Sequence, residues 1–197
     1  MSHYIYTIIG PSGYGKSAII NELFPINTQI VSFTTRAPRP GEQEGIDYYF
    51  IGPKTDQEIT QMQQTYENGG YLDFVVYNHN AYGIDNHELL NKFNPETTSV
   101  AALVTKSGYD SLKASPFGEY VIPVFINVNE STIKTHLQSR NDTPEHIQER
   151  LKLYHQEIKT LSWFLNLNEP NFVIDNNSDL SNAIHELSND IHNLEND

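Results

Sequence analysis

The sequence predicts an α/β fold in which a parallel sheet is covered by helices. Three observations favour this fold: short apolar runs recur along the chain, helix-compatible stretches separate them, and the first run leads directly into a glycine-rich loop followed by a helix. Such alternation is typical of parallel sheets, because two parallel strands need a long crossover connection. The strands predicted for this sheet are 4–9, 29–34, 100–104, 121–128 and 171–175.

The remaining elements are predicted from local patterns. Short strands are expected at 47–51 and 71–76, with a polar helix between them from Asp56 to Glu67. Thr143 and Pro144 have the residue types of an N-cap and a first helical position, and apolar residues keep helical spacing from there to Leu161. The last predicted element is an amphipathic acidic helix over 179–194.

Length and composition predict a single domain. The 197 residues, 38% of them hydrophobic, suffice for one sizeable core. Within this domain we expect a core formed by 1–34 and 98–197, with a lid near 136–150, and a subregion formed by 35–97.

Charge and cysteine content exclude several classes of function. The formal net charge is -13, which disfavours binding to nucleic acid or to an anionic membrane, since both need a basic face. The absence of cysteine excludes disulfides, thiol catalysis and thiolate metal sites. No apolar stretch is long enough for a membrane helix and no signal-peptide core is visible, so we expect a cytoplasmic protein that binds small molecules. The oligomeric state stays open.

A glycine-rich loop follows the first predicted strand. Residues 10–17, Gly-Pro-Ser-Gly-Tyr-Gly-Lys-Ser, fill every fixed position of the phosphate-binding pattern G-x-x-x-x-G-K-[S/T] between a strand and a helix. Glycines let backbone N–H groups turn around an anion, the lysine can reach the outer phosphates, and the serine hydroxyl of Ser17 can ligate Mg²⁺. The residues predicted to bind the nucleoside triphosphate are Gly10, Ser12, Gly13, Tyr14, Gly15, Lys16, Ser17 and Ala18.

A second phosphate site is predicted further along the chain. Arg36 and Arg39 lie in a proline-containing stretch, and Tyr48 follows it. Arginine suits a bidentate grip on phosphate, and a tyrosine hydroxyl adds a neutral donor. A second phosphate site beside a phosphate-binding loop suggests a kinase. The alternative for so short a segment is a solvated surface loop carrying two arginines.

The two segments together resemble the guanylate kinase family. The family pattern S-x-T-T-R-x-P-R-x-G-E-x-x-G-x-D-Y-x-F is filled at every fixed position between Ser32 and Phe50, and the loop has the form GPSGxGKS. Weaker similarity covers nearly all of the remaining chain, including 71–74, 80–83 and 172–176. The resemblance implies the three-layer architecture of a P-loop kinase, with a parallel sheet, a small mixed subregion that binds a nucleoside monophosphate, and a lid.

The resemblance also implies roles for individual residues. Arg140 and Arg150 look like the lid arginines, which would act on the transferring phosphoryl group together with Lys16 and Arg36. ATP with Mg²⁺ is the implied phosphoryl donor. The residues implied to bind the monophosphate are Arg36, Arg39, Tyr48 and Tyr82 at its phosphate and Ser32 and Asp73 at the guanine edge.

Four positions differ from the family pattern. Asp73 stands where the family has glutamate and Ile84 where it has serine or threonine, while Leu103 and Thr105 replace an Asp-x-Asp pair. Three hypotheses follow: a kinase for GMP or dGMP, which we favour, a kinase of the same fold for a different or modified phosphorylated acceptor, and a non-catalytic interaction module. The intact Lys16 disfavours the last of these, because a module that does not handle ATP has no chemical use for it.

Overall fold

The structure, a computed structural model, describes residues 2–11, 15–139 and 144–196, and at several helical positions between 136 and 153 it describes the backbone alone. The strands are β1 (Ile5–Ile9), β2 (Gln29–Ile30), β3 (Phe33–Thr34), β4 (Tyr49–Phe50), β5 (Tyr71–Tyr77), β6 (Asn80–Asp85), β7 (Val100–Leu103), β8 (Val121–Asn127) and β9 (Phe172–Asp175). The α-helices are α1 (Lys16–Leu23), α2 (Asp56–Glu67), α3 (Asn86–Lys92), α4 (Lys106–Lys113), α5 (Glu130–Ser139), α6 (Pro144–Glu157), α7 (Lys159–Phe164) and α8 (Leu180–Asn196).

The strands form two sheets. One has five strands in the order β2-β7-β1-β8-β9, and its β2–β7 and β8–β9 pairs are parallel. The other has four strands in the order β4-β3-β6-β5 and is mixed, because β3 runs parallel to β4 and antiparallel to β6. The predicted α/β fold with a parallel sheet and a smaller mixed sheet is confirmed.

Two predicted elements are each divided in the structure. The strand predicted over 29–34 is two short strands, β2 in the parallel sheet and β3 in the mixed one. The ladder is interrupted because the backbone N–H of Val31 donates to the carboxylate of Glu88, 3.0 Å away. The helix predicted to run on to Leu161 ends at Glu157, and a tighter turn, in which the N–H of Leu161 donates to the carbonyl of Ile158, begins α7.

Contacts along the chain define two compact units. The first comprises residues 8–23 and 122 onwards, and the second comprises residues 2–7 and 24–121. In the first, α8 packs against α1 and β9, and the rings of Phe125 and Phe164 lie 5.5 Å apart between centroids. The single domain and its subregion bounds remain predictions. None of the helices in the described ranges is long and apolar enough to cross a membrane.

The core of the mixed sheet lies on one of its faces. Phe33, Phe74 and Ala81 are buried there, and Met62 and Tyr66 of α2 pack against them. Helix α2 is fixed at its start by a capping box, in which Thr55 and Glu58 satisfy each other's backbone N–H groups. Because α2 covers this face of the sheet, the side chains at the alternate positions along the strands lie on the opposite face.

Candidate functional site

The predicted phosphate loop lies in the first unit, between β1 and α1. Gly10 has φ +140° and Gly15 has φ +86°, conformations that L side chains rarely adopt. A Cβ atom at Gly10 would lie 2.6 Å from the carbonyl oxygen of Ile126, and one at Gly15 would lie 2.7 Å from the side-chain amide of Asn176. Both glycines are therefore required by backbone conformation and by the close approach of their neighbours.

Lys16 points back into this loop. Its Nζ donates to the carbonyl oxygens of Gly10 and Pro11, each 2.6 Å away. Removal of water from the ammonium group lowers the pKa of Lys16 to about 8, and the charge of Glu157 opposes this shift. The ammonium is thus held by carbonyls that a phosphate group can replace with a stronger, charged partner.

Ser17 and Ala18 occupy the exposed first turn of α1. Its first helical bond joins the N–H of Ile19 to the carbonyl of Gly15 at 2.9 Å, so the loop continues directly into the helix. The Ser17 hydroxyl is a hard oxygen ligand of the kind that Mg²⁺ accepts, so Ser17 fits a magnesium ion and would contribute one ligand to it. No cluster of three or more acidic or histidine side chains suited to a metal occurs in the described part of the chain.

The second predicted phosphate site lies in the second unit and is centred on Arg36. The guanidinium stands 5.0 Å from the ring centroid of Tyr48 and 5.7 Å from that of Phe50, and the rings of Tyr48 and Tyr82 meet edge to face at 5.9 Å. Tyr48 therefore contacts both Arg36 and Tyr82, and these three residues predicted to bind the monophosphate form one cluster. The cation–π geometry fixes the plane of the guanidinium fork.

Glu42 holds that fork in place. Its Oε1 lies 2.6 Å from Nη2 of Arg36, and its Oε2 accepts from Nη1 at 2.7 Å and from the backbone N–H of Arg39 at 2.7 Å. The hydrogen bonds from Arg36 lower the pKa of Glu42 to about 2, and the same contact raises the pKa of Arg36. The family pattern includes this glutamate, but its role as the partner of Arg36 is visible only in the contacts.

The register of the mixed sheet places the predicted acceptor residues on one face. Thr34 pairs with Tyr82, and Ile84 pairs with Asp73, so Tyr82, Ile84 and Asp73 point away from the α2 core. Extending the register by one residue brings Ser32 opposite Ile84, and Tyr48 beside Ser32. We call this surface the acceptor face: Ser32, Tyr48, Asp73, Tyr82 and Ile84, with Arg36 over it.

A β-bulge in β5 makes this arrangement possible. Tyr71 pairs with Asp85 and Asp73 pairs with Ile84, so Leu72 is an extra residue without a partner in β6. As a result Tyr71 and Phe74, three positions apart, both stack in the core at 6.0 Å between ring centroids, while Asp73 faces the other way.

Asp73 is nearly buried and is bonded to Thr105, so two positions that depart from the family pattern are partners. Asp73 Oδ1 accepts from the Thr105 hydroxyl at 2.7 Å, and Oδ2 accepts from the Thr105 backbone N–H at 2.7 Å. Burial raises the pKa of Asp73, while the hydrogen bonds from Thr105 and Phe74 oppose the rise. Gly108 of α4 packs so closely that a Cβ there would overlap the carboxyl group.

The other departures have simpler surroundings. Ile84 is buried, with 1% of its surface exposed, and contributes only apolar contact. Leu103 ends β7 half-buried.

Glu88 is a residue of this region that the sequence analysis did not single out. Its carboxylate accepts from the N–H of Val31 at 3.0 Å and from the hydroxyl of Tyr49 at 3.1 Å, and it pairs with Lys92 at 2.6 Å. It therefore fixes the chain directly before Ser32 and directly after Tyr48. The spacing of Glu88 and Lys92, four residues apart on a helix, was the available signal, but this spacing is also common on solvated surfaces.

Some predicted site residues cannot be placed with the others. The side chain of Arg39 is exposed, although its backbone N–H bonds to Glu42. Arg150 lies on α6, but its side chain is outside the described part of the chain. Outside the described residues altogether are Ser12, Gly13, Tyr14 and Arg140.

Comparison with known proteins gives concordant matches. The family model described as guanylate kinase matches residues 2–194. A guanylate kinase of Fusobacterium nucleatum is 32% identical over 152 residues, covering 75% of this chain and 77% of its own length. One from Granulibacter bethesdensis is 31% identical over 160 residues, covering 80% and 72%. The crystal structure of guanylate kinase from Anaplasma phagocytophilum superposes with a TM-score of 0.64 at 25% identity, covering 97% of this chain and 85% of that one.

Proposed function

Because this chain belongs to the guanylate kinase family of phosphotransferases, we propose that it transfers the γ-phosphoryl group of ATP to the phosphate of GMP or dGMP. The bond between the γ-phosphorus and its bridging oxygen breaks, and a bond to an acceptor phosphate oxygen forms. The products are ADP and GDP or dGDP. Named relatives that phosphorylate guanylate support this acceptor.

The observation that carries the proposal is the Arg36 cluster. A guanidinium held by Glu42 and stacked on Tyr48, with Tyr82 beside it, is a second site for phosphate besides the loop that contains Lys16. One phosphate site would suit a nucleotide hydrolase or a binding module. Two sites suit a donor and an acceptor that are both phosphorylated.

We assign donor binding to the loop. The backbone of Gly10 to Ala18 and the ammonium of Lys16 would hold the triphosphate, and Lys16 would neutralise negative charge that develops on the transferring group. Ser17 would hold the Mg²⁺ that accompanies ATP, which would screen the phosphate charges when bound.

Acceptor binding is assigned to the acceptor face. Arg36, Arg39, Tyr48 and Tyr82 would donate to the monophosphate, and Ser32 and Asp73 would contact the base. Arg140 and Arg150 are assigned to the transferring group from the lid. Phosphoryl transfer needs alignment and positive charge more than a side-chain base, so this set is sufficient.

An acceptor screen tests the proposal. Purified protein with ATP and Mg²⁺ is offered each common ribo- and deoxyribonucleoside monophosphate, and formation of the diphosphate is followed by anion-exchange chromatography. We expect GMP and dGMP to be the preferred acceptors among these. A preference for a pyrimidine nucleotide or for AMP, or no product from any of them, would contradict it.

A further inference from the structure

The carboxylate of Asp73 has little capacity left for a ligand. A carboxylate offers about four acceptor positions, two on each oxygen. Oδ1 receives the backbone N–H of Phe74 at 2.9 Å and the hydroxyl of Thr105 at 2.7 Å, which fills it. Oδ2 receives the backbone N–H of Thr105 at 2.7 Å, the one donor recorded to it within the described residues. One position on Oδ2 remains.

The neighbours of Asp73 on the acceptor face do not replace the lost capacity. Ile84 stands next to it in the sheet register and has no polar side-chain atom. Ser32 lies beyond Ile84 in the same cross-strand row, so its hydroxyl, with one donor and two acceptor positions, stands two strands away from the carboxylate of Asp73. The face therefore offers a bound base a single carboxylate acceptor in a fixed direction.

From this inventory we infer that the acceptor site selects the N1–H group of a 6-oxopurine and is indifferent to the 2-amino group, so that hypoxanthine nucleotides are accepted as well as guanine nucleotides. This inference rests on the proposed function, in which Asp73 contacts the acceptor base. It names the acceptor class as 6-oxopurine nucleoside monophosphates rather than GMP and dGMP alone.

The chemistry of the three purines separates them at this site. Guanine offers N1–H and the 2-amino group as adjacent donors, and a carboxylate with both oxygens open would bind both. Hypoxanthine lacks the 2-amino group, which would leave one oxygen of such a carboxylate buried and unpaired, at a large cost. Here that oxygen is already paired by Thr105 and Phe74, so the cost does not arise. Adenine presents a lone pair at N1, which the carboxylate repels.

The test measures kcat/KM for GMP, IMP and AMP with ATP and Mg²⁺, and the dissociation constants of the same three nucleotides by calorimetry without ATP. We expect GMP and IMP to agree within about threefold in both measurements, and AMP to be weaker by about 100-fold or more. A preference for GMP over IMP of about tenfold or more, in binding or in turnover, overturns the inference.

Variants at Thr105 test the mechanism. Thr105→Val removes the hydroxyl that fills Oδ1, and this oxygen can then accept a hydrogen bond from the 2-amino group of guanine. The ratio of kcat/KM for GMP to that for IMP should therefore rise by about tenfold. Thr105→Ser keeps the hydroxyl and should keep the wild-type ratio. Ser111→Ala, which removes a hydroxyl of α4 that bonds to Tyr66 and not to Asp73 or Thr105, is the matched control. Equal losses for GMP and IMP in Thr105→Val would mean a merely structural hydroxyl and would overturn the inference.

Failure of the inference can be told from failure of the proposed function. If the nucleotides bind but none is phosphorylated, the proposed transfer is wrong, while the ratio of dissociation constants still decides the inference. If neither GMP nor IMP binds, the inference falls too. Should Thr105→Val fail to fold, because Thr105 also caps α4, the wild-type ratios remain decisive.

Discussion

The phosphate loop and the acceptor face are built in different ways. The described part of the loop is shaped by backbone: Gly10 and Gly15 have positive φ, and the carbonyls that hold Lys16 belong to the same short stretch. The acceptor face is made by side chains on β5 and β6 and directly before β3 and β4, and its Asp73–Thr105 contact joins residues 32 positions apart. The geometry of a contiguous motif can therefore be predicted from its sequence, whereas a face assembled from distant segments depends on contacts that no local pattern reveals.

The largest expected effect is at Lys16, on the loop side of this comparison. Lys16→Ala should lower kcat by about 100- to 1,000-fold, because one preorganised positive group facing developing charge is lost. Steady-state kinetics checks this, with circular dichroism to confirm the fold. Lys134→Ala removes an exposed lysine from the same unit, paired with Glu130, and should leave kcat unchanged. Turnover by Lys16→Ala at the wild-type rate would refute the assignment.

Alanine substitutions at two glycines test how much the close approach of Ile126 to Gly10 contributes, with Gly41, which lies outside the loop, as the comparison. Gly10→Ala should lower the free energy of unfolding by about 2 to 3 kcal/mol, since it combines an unfavourable φ with a Cβ 2.6 Å from the Ile126 carbonyl. Gly41→Ala has φ +92° but nothing within 4 Å of the new Cβ, so about 1 kcal/mol is expected. Urea unfolding measures both. Equal losses would show that the contact with Ile126 contributes nothing.

Arg36 tests the acceptor side. Arg36→Ala should raise the KM for GMP by about 10- to 100-fold, because a bidentate charged contact is lost, and should change the KM for ATP little. Initial-rate measurements with each substrate varied in turn separate the two. Arg36→Lys keeps the charge but not the fork, and should fall between wild type and Ala. An equal rise in both KM values would contradict the division into donor and acceptor sites.

The smallest expected effect concerns Glu42 and pH. Its pKa of about 2 in the folded chain lies below the ordinary value of 4.5, so its ionised form stabilises the fold fully above about pH 4.5 and progressively less as pH falls toward 2. Between pH 5 and pH 3 the wild type should therefore lose about 1 kcal/mol more unfolding free energy than Glu42→Gln. Urea titrations at the two pH values measure the difference. Parallel losses would mean that the Arg36–Glu42 pair is too solvated to matter.

The sequence predicted the loop and the parallel sheet because both depend on local signals. The strand before Gly10 and the helix after it lie where the motif requires them, and α2 begins and ends at the predicted residues. The division of 29–34 into β2 and β3 was missed, since it depends on a bond from Val31 to Glu88, 57 residues away. For the same reason the sequence did not reveal Glu42 as the partner of Arg36 or Glu88 as the partner of Val31. Thr105 was singled out only because it replaces an aspartate of the family pattern.

The bulge at Leu72 also bears on how this strand can change in length during evolution. Loss of Leu72 would restore an ordinary ladder and leave Tyr71, Asp73 and Phe74 on their present faces, because Leu72 is the residue without a partner. Loss of a residue between Phe74 and Tyr77 would instead exchange the faces of every position beyond it. A single-codon deletion at position 72 thus spares the alternation between core side chains and side chains of the acceptor face.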